Sequence, residues 1–300
     1  MNKLFLSLFL LPSVLFASSA NDPPITTYHS TVSEVRVTFF TTDEKNRTIE
    51  SVRPDDFAIV DGDVVVRQFR SLTRSNETAL DVVVMLDTSQ SVARHFQSTM
   101  NDVLQLVAQK QIATDEKMSV LAFSDMQPSV LCAANCRTQE GMQRLRATRP
   151  EGATPLFDAL AYGATFISRR QSPGVRPVLV LFSDGDDTIS KTSARDSMHA
   201  LITSGALLYA VDTNQPGENP RGSWALQRMA EATGGRYFSM QEGGANVLQA
   251  ALEDLRASYV VTYNLPDSEA GFHSLRILPK HNLNLRFHCR NGYYYGTDIP

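Results

Sequence analysis

Four runs of this chain are apolar almost without interruption: VVVML ending at Leu86, MSVLAF over Met118–Phe123, VLVLF over Val178–Phe182 and ALLYAV over Ala206–Val211. A strand with one wet face alternates apolar and polar residues. A run without that alternation reads as a central parallel strand covered on both faces. Between the runs, apolar residues recur at helical spacing, first as Val92, Phe96, Met100, Val103 and Val107. They recur again as Leu156, Leu160, Ala164 and Ile167, with Pro155 suited to the first turn of that helix. WALQRMAEATGG reads as a helix closed by Gly234 and Gly235, RYFSM as a short strand and VLQAALEDLRA as a last amphipathic helix. Strand and helix therefore alternate over residues 80–256. The fold class expected is α/β, a doubly wound, mostly parallel sheet flanked by helices.

The flanks have a different texture. Over residues 28–75, VRVTF alternates as a strand, and FAIVDGDVVVRQF reads as a hairpin turning at Asp61-Gly62. Over 257–300, Tyr259, Val261 and Tyr263 alternate, then Leu275 and Ile277, then Leu283, Leu285, Phe287 and Cys289. Neither flank suffices for a domain. Together they are predicted to form one small β-sandwich into which the α/β block is inserted.

The first residues, MNKLFLSLFLLPSVLFASSA, carry Lys3, an apolar run over Leu4–Phe16 and small residues to Ala20. That pattern predicts a signal peptide over 1–20. The protein is expected to be exported, periplasmic or secreted after cleavage near Ala20. No later stretch is apolar for 18 residues, so no integral membrane segment is expected. The net charge of −4 gives no reason to expect nucleic acid or an anionic membrane as partner. Nothing in the sequence sets an oligomeric state. Of three cysteines, Cys289 falls on the apolar face of its strand, and Cys132 and Cys136 could pair with each other. Zinc would lack ligands there.

Three loops carry the chemistry: Asp87-Thr88-Ser89-Gln90-Ser91, Gly152-Ala153-Thr154-Pro155 and Ser183-Asp184-Gly185-Asp186-Asp187. Loops at the carboxyl ends of strands converge where strand order reverses. If the strands ending at Leu86 and Phe182 are neighbours, Asp87 and Asp184 meet, with Ser89, Ser91 and Thr154 facing the same space. Two carboxylates and three hydroxyls are hard oxygen donors, suited to Mg²⁺, with Mn²⁺ or Ca²⁺ also possible. A helix cap at Ser89 or Ser91 would explain the first loop but not Thr154 and Asp184. Asp186 and Asp187 read as solvated or helix-start acids, Gly152 and Gly185 as backbone-geometry residues, and Trp224 as packing. Asn46 and Asn76 stand in glycosylation sequons, relevant only in a eukaryotic secretory pathway.

DxSxS, the threonine of GATPL and FSDG after a buried strand resemble the metal-ion-dependent adhesion site of von Willebrand factor type A domains, over residues 80–256. The layout also resembles a bacterial exported subgroup with β segments on both sides. The resemblance implies direct metal binding by Ser89 and Ser91, binding by Thr154 directly or through water, and aspartates acting often through water. It implies a partner carboxylate that completes the shell, and a shift of the last helix when the metal site rearranges. The expected function is metal-dependent protein or peptide binding. A scaffold subunit with a non-essential metal site, or a metal-dependent hydrolase, are the alternatives. No G-x-S-x-G, H-E-x-x-H or phosphate-binding glycine loop is present, and the six histidines are scattered, so no enzyme is expected.

Overall fold

The computed structural model describes residues 34–125, 128–242, 244–266 and 269–296. The predicted signal peptide, residues 1–20, lies outside them. Before the α/β block come β1 (Glu34–Thr42), β2 (Phe57–Asp61), β3 (Val64–Val66) and β4 (Ser71–Arg74). The block itself runs β5 (Ala79–Asp87), α1 (Phe96–Ala108), β6 (Met118–Phe123), β7 (Ser129–Ala133), α2 (Gln139–Ala147), α3 (Leu156–Ser168), β8 (Val175–Ser183) and α4 (Ala194–Ser204). It continues with β9 (Leu207–Asp212), α5 (Pro220–Thr233), β10 (Tyr237–Ser239) and α6 (Val247–Arg256). After it come β11 (Tyr259–Asn264), β12 (Gly271–Pro279), β13 (Arg286–His288) and β14 (Gly292–Tyr295).

The central sheet has the order β10-β9-β8-β5-β6-β7. All its pairings are parallel except that of β6 with the edge strand β7. Every residue of β5 from Leu80 to Asp87 is buried, because both faces are covered. Val82, Val84 and Leu86 join Val103 and Val107 of α1 and Leu248, Ala251 and Leu255 of α6 in one core. Val83 and Met85 face the other way, into a core with Leu156 and Leu160 of α3, Leu201 of α4 and Leu226 of α5. This is the two-sided burial that a continuous apolar run demands. Strand order reverses between β5 and β8, which pair with Leu86 opposite Phe182.

Two four-stranded antiparallel sheets flank the block, in the orders β13-β1-β11-β4 and β14-β12-β2-β3. Each mixes strands from before and after it. Val35, Val37, Phe39, Val261 and Tyr263 of the first sheet pack on Phe57, Ile59, Leu275, Ile277 and Tyr293 of the second. Side chains alternate across a strand, so this core takes every second residue.

Three local expectations are corrected. The hairpin turns at Gly62-Asp63, since Asp61 still pairs with Val64. Asp61 is buried and accepts hydrogen bonds from the hydroxyls of Tyr263 at 2.8 Å and Tyr293 at 2.7 Å. A buried carboxylate needs such donors, and a turn position would leave it in water. The strand before Cys289 begins only at Arg286, and Leu283 is exposed. Alternation there starts two residues later than the apolar pattern suggests; Cys289 itself lies against the sandwich core as a free thiol. Trp224 does not pack inside: it is 65% exposed.

Cys132 and Cys136 form a disulfide. Among the described residues, no helix is long and apolar enough to cross a membrane.

Candidate functional site

β5 ends in Asp87, and its carboxylate organises the loop that follows. Oδ1 accepts from the Ser89 amide at 2.9 Å and the Ser89 hydroxyl at 2.6 Å. Oδ2 accepts from the Ser183 hydroxyl at 2.7 Å, across the β5–β8 pairing. Ser89 and Ser91 hydroxyl oxygens lie 3.0 Å apart. Ser91 sits in turn beside Asp184, and its hydrogen bonding opposes the rise in that carboxyl's pKa. Asp87, Ser89, Ser91 and Asp184 thus form one continuous chain of oxygens.

Neither serine caps the short 3-10 turn over Gln90–Arg94: Ser89 holds the N-cap position with its side chain turned to Asp87 instead. Capping therefore does not account for Ser89.

Thr154 reaches the same rim through its loop. The Gln90 amide donates to the Gly152 carbonyl and the Glu151 amide to the Thr88 carbonyl, tying the second loop to the first. Thr154 is buried, and its own amide donates to the Thr188 hydroxyl at 2.8 Å. Among the described residues, no hydrogen bond of the oxygen chain runs to the Thr154 hydroxyl. Pro155 occupies the N-cap of α3, one residue earlier than the first turn. Two glycines make these approaches feasible. Gly152 has φ +81° and Gly185 φ +80°, a region open to glycine.

The electrostatics are one-sided. Burial pushes the Asp87 carboxyl up to about 6, against hydrogen bonds from Ser89 and Ser183 that hold it down, and the nearby Asp184 pushes it further up. Burial raises Asp184 as well, helped by the charges of Asp186 and Asp212. Among the described residues, no lysine or arginine pairs with Asp87 or Asp184, whereas buried Asp254 meets Arg236 and Asp81 meets Arg170 and Lys117; buried Asp61 and Asp212 likewise lack a lysine or arginine and are held by tyrosine and asparagine donors. Two buried acids without a cation are costly unless a cation comes from outside. Oxygen-only donors fit a hard divalent ion; Asp87, Ser89, Ser91, Thr154 and Asp184 are the residues that would hold it. Among the described residues, no three His, Cys, Asp or Glu side chains gather as a metal site.

Asp186 is exposed and accepts from the Asn219 side chain at 2.8 Å. Asp187 accepts from the Phe157 amide at the start of α3, a helix-start acid as expected.

A fourth loop, absent from the three that the sequence motifs mark, adjoins Asp184. β9 ends in Asp212, whose Oδ1 accepts from the Asn214 amide at 2.9 Å. The Asn214 side chain donates to the Asp184 carbonyl at 2.8 Å, and that of Asn219 does so at 3.2 Å. The signal was available: AVDTN over Ala210–Asn214 repeats the apolar-Asp-Thr-polar order of MLDTS over Met85–Ser89.

Similar folds occur in solved structures. One is a von Willebrand factor type A protein from Catenulispora acidiphila, at 13% identity, 88% of this chain, 75% of that chain and a TM-score of 0.46. Proximal thread matrix protein 1 of the mussel byssus matches at 18% identity over 60% of this chain, with a TM-score of 0.46, and this chain spans 49% of its length. An aerotolerance-related membrane protein from Bacteroides fragilis matches at 15% identity, 59% of this chain, 98% of that chain and a TM-score of 0.42. No curated protein matches the chain. The family model of the von Willebrand factor type A domain matches residues 81–254, more than half of the chain, and the protein belongs to that family.

Proposed function

We propose that the protein is an exported, non-enzymatic binding module that captures an acidic group of a protein or peptide partner through a divalent cation, Mg²⁺ first among the candidates. The observation that carries this reading is the pair of buried carboxylates, Asp87 and Asp184, joined through Ser89 and Ser91 and lacking any cationic partner among the described residues. Only two formal charges and neutral hydroxyls would face the ion, which leaves it electron-poor and attractive to one more carboxylate. Thr154 completes the five-residue set that the family's adhesion site uses. Export rests on the N-terminal pattern of residues 1–20.

The test is titration calorimetry with Mg²⁺ on wild type and Asp87→Ala, paired with thermal unfolding. Wild type should take up one equivalent and gain stability with rising Mg²⁺, as any ligand selective for the folded state requires. Asp87→Ala should do neither. Equal uptake by both proteins would overturn the reading.

A further inference from the structure

The loop after β9 has a second face. With α5 and the end of β10 it encloses a groove of about 410 Å³. That volume is in the range of about 300–1,000 Å³ usual for binding pockets. The groove adjoins the carboxylate cluster. Asp212 and Asn214 line it, and the same Asn214 side chain holds the Asp184 carbonyl at 2.8 Å. Trp224, 65% exposed and the chain's single tryptophan, forms one wall, with Tyr237 and Met240 among the other lining residues.

The loop that builds the groove is tied down on both sides. Glu218 accepts from the Gln215 amide at 2.9 Å, and it pairs with Arg94 at 2.6 Å and His95 at 3.0 Å, which lie just after Ser91. Asn219 caps α5, accepting from the Gly222 amide at 3.0 Å. A preorganised wall loses little freedom when a ligand arrives. Asp212 is the sole charged residue of the lining, and its carboxylate already accepts from the Tyr237 hydroxyl at 2.7 Å. No basic side chain lines the groove, so a second acid would be repelled. A large uncharged side chain is what its walls favour, and exposed tryptophan next to a binding site is a common anchor.

We propose that this groove is the specificity subsite of the same interface. It seats an aromatic or large aliphatic side chain of the partner while the neighbouring acidic residue is captured at the carboxylate cluster. The partner is thereby a peptide segment that pairs one carboxylate with one large apolar side chain. Because both features share Asn214, the two groups lie within about three residues of extended chain, at about 3.3 Å per residue. The inference rests on the reading of the cluster as a carboxylate-capturing metal site.

The experiment is selection of a random peptide library on the full chain in Mg²⁺ with elution by chelator. Enriched peptides lacking tryptophan are then titrated while Trp224 emission is followed, and labelled copies are titrated by anisotropy against the variants. Enrichment of Asp or Glu with Phe, Tyr or Leu within that spacing, and a blue shift of the emission on binding, are expected. Trp224→Ala should weaken Mg²⁺-dependent binding about tenfold or more, and Trp224→Phe should retain most of it. Since Trp224 is exposed, neither variant should lower the unfolding temperature, which excludes misfolding as the cause. Enrichment without an apolar companion, or unchanged affinity in Trp224→Ala, would sink the subsite and leave the metal site standing. So would an emission shift with neutral oligosaccharides instead of peptides. Binding indifferent to chelator and to Asp87→Ala would instead sink the metal reading itself.

Discussion

Gly152 and Gly185 hold nearly the same backbone conformation, yet their neighbours differ. A Cβ on Gly152 would lie 2.2 Å from the Asp125 carboxylate, a side chain that can swing away at the cost of its 2.9 Å bond from the Ala153 amide. A Cβ on Gly185 would lie 2.3 Å from the Gly222 carbonyl oxygen, which α5 holds in place. Each alanine also suffers the strain of a positive φ, about 1–3 kcal/mol. Gly185→Ala should therefore destabilise clearly more than Gly152→Ala, by about 3 kcal/mol or more against about 1–2 kcal/mol, in denaturant titrations. His288 gives a pH prediction. It stacks on Phe40 at 4.6 Å and bonds Thr42 at 2.9 Å. Burial pushes its pKa down to about 4, with the charges of Arg236 and Arg286 adding to the fall and the Gly235 backbone opposing it. Its folded pKa lies below the ordinary 6.5, so the unfolded chain binds more protons between these values. Stability from His288 is thus present above pH 6.5 and lost as pH falls through about 4. His288→Gln should show a shallower fall of unfolding temperature over that window than wild type. Asp87, Ser89, Ser91 and Asp184 were readable as candidates because their loops directly follow the buried strands β5 and β8, whereas Thr154 lies between α2 and α3 and was marked by its GATPL loop alone. Trp224 and Asp61 were not readable. An apolar ring in an amphipathic helix looks like core, and an Asp before Gly looks like a turn, until the surrounding strands are placed.

At the scale of elements, legibility follows the apolar area each one buries. The strands β5, β6, β8 and β9 are covered on both faces, so their composition alone marks them. β7, α2 and α4 leave no such mark in the sequence, for the opposite reason. α2 buries only Gly141 and Leu145, and α4 buries Ser197 and Ser204 beside Leu201 and Ile202. β7 lies at the edge, with two of its five residues buried or nearly so. Such elements are held by caps and neighbours rather than by a stripe. Thr138 caps α2 through the Gly141 amide at 3.1 Å, and Ser193 caps α4 through the Asp196 amide at 3.1 Å. The Cys132–Cys136 disulfide joins the end of β7 to the approach to α2. It closes a very short loop, so loop entropy supplies only about 2 kcal/mol. Both sulfurs also sit in the core shared with Leu145. Replacing both cysteines with alanine should lower stability by about that amount, plus a small cavity cost, and leave the fold intact. Calorimetry with far-ultraviolet dichroism checks this, and unfolding of the whole chain by the double change would refute it.

The whole molecule is joined at α6. That helix ends at Arg256 and β11 begins at Tyr259, with only buried Ala257 and Ser258 between them. Its Asp254 is wholly buried and accepts from the Tyr209 hydroxyl of β9 at 2.9 Å, from Arg236 at 3.0 Å and from the Thr48 hydroxyl at 2.9 Å. Thr48 follows β1, and Arg236 also donates to the Asn46 carbonyl of that same loop at 2.9 Å. One carboxylate therefore ties the central sheet, the last helix and the sandwich loop together. α6 cannot slide along the sheet without straining these bonds or pulling on β11. The family resemblance implies a shift of the last helix when the metal site rearranges; were α6 to shift so, the bonds of Asp254 would pass the strain to the sandwich loop and β11. Hydrogen exchange with Mg²⁺ and a selected acidic peptide should alter protection over residues 252–263. Protection that stays constant there, while peptide binding is confirmed in the same sample, would rule out the coupling. Asp254→Ala should cost about 3–5 kcal/mol, because it leaves the Arg236 charge buried without its carboxylate. It should also free the Thr48 loop from α6. In that variant Mg²⁺ uptake should persist, since Asp254 is no part of the Asp87–Asp184 cluster, but the ligand-induced change in β11 exchange should shrink. Loss of metal uptake together with β11 protection would mean that Asp254 merely holds the fold, whereas uptake without transmission would identify it as the link between the two halves.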